Sequence, residues 1–184
     1  MAQYDFEKFK NATIFFASRV KCLGITKLNK LLYFSDFEHY RLYGRPILGD
    51  KYTRMERGPV PSLSYAIFNS NFNDQTDDSL KDFIGIKNVI WGYPMKKIIA
   101  KKDFDPTVFS KSEIEIMTKV ANDYAYCTAS DLSKKSHSEK PWLETPELET
   151  IDYKLALSEP DSISKNYAEY REKEDEELED ILRG

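Results

Sequence analysis

The sequence predicts an α+β fold, mainly α-helical, in which a central hydrophobic helix is surrounded by helices and a small antiparallel β-hairpin or sheet. Three observations carry this reading. Residues 25–43 are apolar on two sides of a helical wheel, helix-capping patterns recur along the chain, and only Val89–Trp91 and Lys97–Ala100 read as strands. The 184 residues include 12 Tyr, 11 Phe and 2 Trp, and 41% are hydrophobic, enough to fill a real core.

The first helix is expected over Asp5–Val20, where Phe6, Phe9, Thr13, Phe16, Ala17 and Val20 share one arc and Cys22-Leu23-Gly24 breaks it. In the second, Ile25–Tyr43, one stripe is Leu28, Leu31, Leu32, Ser35, His39 and Leu42, and Tyr33, Phe37 and Tyr40 form another. A narrow arc of Lys27, Lys30, Glu38 and Arg41 is expected to be wet. Gly44 ends this helix and Arg45-Pro46 prevents resumption. Glycine and proline punctuation makes Ile47–Pro61 an extended or hairpin-like piece. Ser62 caps a third helix to about Asn69, a loop follows over Asn69–Asp78, and Leu80–Ile84 adds a turn of helix. The two β-like runs pair into a small sheet that the 51–57 segment could join. Ser110-Lys-Ser-Glu113 is a capping box opening a helix with Ile114, Met117, Ala121, Tyr124 and Ala125 on one face. Thr128 starts another helix that Pro141 stops near Glu139, and 163–182 is an acidic helix or tail.

Composition excludes several function classes. No stretch approaches the roughly 18 to 20 apolar residues that span a bilayer, and MAQYDFEKFK lacks a signal-peptide core. A soluble cytoplasmic protein with no membrane partner is expected. Seven glycines make neither a dinucleotide fingerprint nor a P-loop, so no nucleotide cofactor is expected. Cys22, His39, Cys127 and His137 lack the close pairing of metal sites, so no metal is expected either. Cys127 is read as an inert thiol.

The net charge of −4 hides an asymmetry: residues 1–110 carry 17 Lys/Arg against 12 Asp/Glu, and residues 111–184 carry 10 against 19. Lys21, Lys27, Lys30, Arg41, Arg45, Lys51, Arg54 and Arg57 are interleaved with Tyr33, Tyr40, Tyr43 and Tyr52, as in single-strand binders. The overall field is wrong in sign for nucleic acid, and the same residue types dominate protein interfaces. His39 reads as a core histidine bonded to backbone. His137 is expected to satisfy last-turn carbonyls while Trp142 packs over the helix end. Asp36 is expected to form an ion pair with Arg45, Arg54 or Arg57.

Lys27-Leu-Asn-Lys-Leu-Leu-Tyr-Phe-Ser-Asp36, then Tyr43-Gly-Arg-Pro-Ile47, Gly49-Asp50 and Gly58-Pro-Val60, resemble the Panacea domain, also called the SocA-like antitoxin domain and related to phage-associated proteins of the GepA type. Ser112-Glu113, Leu132-Ser, Ser136-His137 and Pro141-Trp142 resemble the family's closing motif, extending the resemblance over about 5–157. It implies a bacterial antitoxin, not an enzyme, that binds and neutralises a cognate protein toxin, including small alarmone-synthetase-like toxins that modify tRNA. It also leaves open a proteolytic adaptor that delivers the toxin to a AAA+ protease, and a nucleic-acid-binding regulator.

On that reading Lys30, Leu31, Tyr33, Asp36, Gly44, Pro46, Gly58, Pro59, Val60, His137, Pro141 and Trp142 are scaffold residues of the motif. Candidates for touching the toxin are Arg41, Tyr43, Arg45, Arg54, Arg57, Tyr170, Glu174, Glu176 and Glu177. The domain is drawn as 1–158, followed by an acidic segment, 159–184, whose removal should leave a folded protein that neutralises less well.

Overall fold

The structure, a computed structural model, describes residues 4–72, 80–90, 92–159 and 161–183. It is mainly helical with two small antiparallel sheets. Helix α1 (Phe6–Arg19) begins where the Asp5 carboxylate accepts the Lys8 N–H at 3.0 Å, and Phe9, Phe15 and Phe16 are completely buried along it. Helix α2 (Ile25–Tyr43) has the expected limits. Gly44 follows it at φ +74 and its N–H closes on the Tyr40 carbonyl at 2.8 Å.

Helix α2 lies at the centre because both of its apolar stripes find neighbours. Leu28, Leu31 and Leu32 are buried, and Tyr33 and Phe37 meet at 4.4 Å with Phe37 stacked on Tyr153 at 4.5 Å. Each such side chain contributes roughly 1.5 to 3 kcal/mol when fully buried. The wet arc is narrower than expected. Lys27 and Lys30 are 4% and 2% exposed because their ammonium groups find backbone carbonyls, which leaves Glu38 and Arg41 as its half-exposed part.

Strands β1 (Tyr52–Thr53) and β2 (Val60–Pro61) form a two-residue antiparallel pair around the Gly58-Pro59 turn. A later segment runs alongside β1: Ile151 donates to the Tyr52 carbonyl at 2.8 Å and Arg54 to the Glu149 carbonyl at 2.9 Å. Helix α3 (Ser62–Phe72) is capped from outside, since Asp50 accepts the N–H groups of Leu63 and Ser64 at 3.0 and 2.7 Å; Ser62 is already its first residue. The loop expected over 69–78 therefore starts later, and its remainder, 73–78, lies outside the described residues.

Residues 80–83 make a hydrogen-bonded turn, and Ile84 already belongs to a strand instead of the expected helical turn. Strand β3 (Ile84–Ile90) pairs antiparallel with β4 (Pro94–Ala100) from Ile84↔Ala100 to Ile90↔Pro94. This hairpin is longer than its β-like runs, and it is a sheet separate from the 51–57 segment. Buried Ile84 and Ile98 anchor its base, with Ile98 donating to the Leu23 carbonyl at 2.7 Å, while Ile90 near the tip is 83% exposed.

A 3-10 turn at Pro106–Val108 leads into α4 (Lys111–Tyr124), whose capping box is formed as expected between Ser110 and Glu113. The same Glu113 takes Lys8 at 2.6 Å, joining α4 to α1. Helix α5 (Ala129–Ser136) has a second capping box, Thr128 with Asp131. It stops before Pro141, which sits instead in the first turn of a short further helix, α6 (Lys140–Glu144), where a missing N–H costs nothing. A 3-10 helix at Tyr153–Ser158 packs on α2, and α7 (Lys165–Arg183) folds back beside the end of α2. There Ala168 is completely buried and Ile163 donates to the Arg41 carbonyl at 3.0 Å.

Candidate functional site

The motif residues gather into two connected centres on α2. The first is Asp36, with no exposed surface. Its Oδ1 accepts the N–H groups of Ile47 and Leu48 at 2.9 and 2.7 Å, and its Oδ2 accepts the hydroxyls of Tyr52 and Tyr153 at 3.0 and 3.1 Å. The expected ion pair with an arginine is not formed. Four neutral donors satisfy the carboxylate, and Arg45 and Arg54 are engaged elsewhere. Burial pushes the Asp36 carboxyl up to about 7 against the downward pull of those donors.

The second centre lies nearly two helical turns earlier on α2. Lys30 Nζ donates to the Pro59 carbonyl at 2.6 Å, and burial brings the ammonium down to about 7. Gly58 holds φ +93, and a Cβ placed there would lie 2.6 Å from Ser136 Oγ and 2.7 Å from Lys30 Nζ, so only glycine fits the turn. His137 follows Ser136 and stacks on Trp142 with ring centroids 4.1 Å apart. Its Nε2 is buried without a hydrogen-bond partner, so it works as a stacking surface and does not satisfy last-turn carbonyls as expected. The Arg54 guanidinium lies 4.1 Å from the Trp142 ring and donates to the Thr145 carbonyl at 2.8 Å.

His39 is a core residue. Its Nδ1 is 2.6 Å from the Arg45 carbonyl and its Nε2 is 3.0 Å from Ser112 Oγ, which ties α2 to the start of α4. Among the described residues, no group of three or more His, Cys, Asp or Glu side chains is placed to hold a metal ion. No described helix is long and apolar enough to cross a membrane.

The basic residues of the first half do not form one patch. Lys27 and Lys30 turn inward, Arg41 pairs with Glu38 at 2.9 Å, and Arg45 pairs with Glu174 and Asp175 of α7. Of the tyrosines between them, Tyr33 and Tyr52 are core. The residues proposed to touch a toxin therefore fall into three places. Arg41 lines a cleft of about 370 Å³ with Glu38, Tyr124 and Glu139. Tyr43 and Arg45 line a groove of about 630 Å³ closed on one side by Leu178 and Leu182 of α7. Arg54 is tied to Trp142, and Arg57 is exposed nearby. On α7, Tyr170, Glu176 and Glu177 are exposed, whereas Glu174 bonds Arg45 and Arg171.

Sequence reasoning missed three participants. Tyr153 reaches Asp36 across 117 residues, with no local signal to mark it. Asp50 is completely buried at the start of α3, and the Gly49-Asp50 pair ahead of a helix was the available sign. Glu139 is half-buried, and burial pushes its carboxyl up to about 7 beside the hydroxyl of Tyr33.

The model of the family described as Antitoxin SocA-like, Panacea domain, matches residues 28–143, from the first leucine of the α2 stripe to the residue after Trp142. No match was found among the curated proteins or the solved structures. Both centres built on Lys30 and Asp36 start within the matched residues, and the match covers well over half of the chain: this protein belongs to the SocA-like antitoxin, Panacea domain, family.

Proposed function

We propose that this protein is the antitoxin of a toxin–antitoxin pair, neutralising a cognate protein toxin by occluding its active site and performing no chemistry of its own. The observation that carries this reading is the inward bonding of three polar side chains of the central helix α2. Lys30, Asp36 and His39 all spend their side chains on the chain's own carbonyls, N–H groups and hydroxyls. A general acid or base needs a free polar end near substrate, and these ends are spent. The motif is then a scaffold, and recognition belongs to exposed positions around it.

The outer face of α7 is the surface we assign to the toxin. Tyr170 and Glu177 are exposed there, Glu176 is exposed beside the cleft it lines with Tyr40 and Lys51, and the second half of the chain is acidic. A toxin that handles RNA or nucleotides has a positively charged active site, for which such a face competes. The test is co-expression with the adjacent open reading frame, scored by growth. Rescue with toxin still at full level on an immunoblot fits occlusion. Rescue with toxin lost would replace occlusion by delivery to a protease, and absence of rescue would sink the antitoxin reading for that pair.

A further inference from the structure

The two cysteines, 105 positions apart in sequence, line one small cavity of about 220 Å³. Cys22 lies in the turn between α1 and α2, and Cys127 in the turn between α4 and α5. The two turns are clasped: Lys21 donates its N–H to the Ala125 carbonyl at 3.1 Å, and Lys27 Nζ donates to the carbonyls of both Lys21 and Ala125 at 3.1 Å. Burial draws the Lys27 ammonium down from its ordinary value, and the two groups whose charge holds it up are Cys127 and Cys22.

The backbone supplies a separate observation. Cys22 has φ +50, the left-handed region that glycine occupies without cost and that other side chains seldom adopt. A cysteine occupies a turn position that glycine would take more easily, and strain of this kind collects at positions with a task. Both thiols are partly exposed, so a small oxidant reaches them.

We propose that Cys22 and Cys127 are a redox pair that a peroxide closes into a reversible intramolecular disulfide. One thiolate attacks a peroxide oxygen, the O–O bond breaks, and a sulfenic acid and a hydroxide form; the hydroxide takes a proton to become water. The second thiolate attacks the sulfenyl sulfur, the S–S bond forms, and a second hydroxide leaves and is protonated. Two thiols and one hydrogen peroxide give one disulfide and two waters, and a dithiol reductant reverses the change. The bond would fasten the α1–α2 turn to the α4–α5 turn, and transient disulfides of this kind are compatible with a reducing compartment.

The experiment uses the full-length protein at low concentration, treated with a small excess of hydrogen peroxide and then with iodoacetamide. Expected are a monomer lighter by two hydrogen atoms, no alkylation of either cysteine, a linked Cys22–Cys127 peptide pair, and full recovery of alkylation after dithiothreitol. Cys22→Ser and Cys127→Ser each abolish the linked product. Thiols that remain alkylatable, oxygen adducts on unlinked sulfurs, or chains linked only between molecules would overturn the proposal. None of these readouts depends on a toxin.

Discussion

Arg45 clamps the last helix to the central one: its Nε donates to Asp175 at 2.7 Å and its Nη2 to Glu174 at 3.2 Å. The acidic arm thus spends part of its charge on its own chain, helped by Lys154 with Glu172 at 3.0 Å and by the Tyr40 hydroxyl on Glu172 at 2.8 Å. These pairs are partly exposed, so each contributes about 0.5 kcal/mol and weakens with salt. Arg45→Ala should speed amide exchange in 165–183 about three- to tenfold while leaving α2 protected. Equal acceleration in both helices would show that α7 does not open by itself.

Asp36 sets a pH dependence. Its carboxyl titrates near 7 when folded against 3.8 when free, so its contribution to stability is complete below about pH 4 and is lost as pH rises to 7. Asp36→Asn removes that titration. The denaturant midpoint of the wild type should therefore fall relative to Asp36→Asn between pH 4 and 7, and a constant gap would contradict the assignment.

Lys30 runs the other way. The folded ammonium titrates near 7 against 10.5 when free, so between these values the unfolded chain holds the extra proton and stability rises with pH. Urea midpoints of the wild type should climb relative to Lys30→Met from pH 7 to 10. The lost Pro59 contact costs the variant about 1 to 2 kcal/mol throughout.

Gly58→Ala combines a strained φ with a Cβ driven into Ser136 and Lys30. A loss of about 2 to 4 kcal/mol in equilibrium unfolding is expected. A neutral result would mean that the Pro59 turn shifts freely, and the Lys30 bond with it.

Trp142→Ala removes the surface on which both His137 and Arg54 rest. Because Trp142 is half-buried, we expect a loss of about 2 to 4 kcal/mol, below that of a completely buried tryptophan. Unchanged melting with lost toxin binding would instead place Trp142 at the interface.

Helix limits were legible in the sequence wherever a local device sets them. Gly44 and Pro46 stop α2, and Ser110 with Glu113 starts α4. The buried lysines were hidden because their acceptors come from elsewhere in the chain, Pro59 for Lys30 and Ala125 for Lys27. Asp36 drew attention as an acid on an occupied arc, but its phenol donors come from β1 and from the 3-10 helix beyond the motif. The hairpin reaches beyond its β-like runs because Lys87, Asn88 and Lys96 lie on its largely exposed part, where no core imposes alternation.

The hydroxyl of Tyr153 on Asp36 also decides where this protein can be cut. The matched segment ends at residue 143, yet one of the four donors to its buried carboxylate lies ten residues further on, and Phe9, Phe15 and Phe16 of its core lie before residue 28. A graft of 28–143 onto another scaffold would strip that donor away and lay bare the α1 side of the central helix. Recombination between relatives has to keep α1 and Tyr153 with the matched segment.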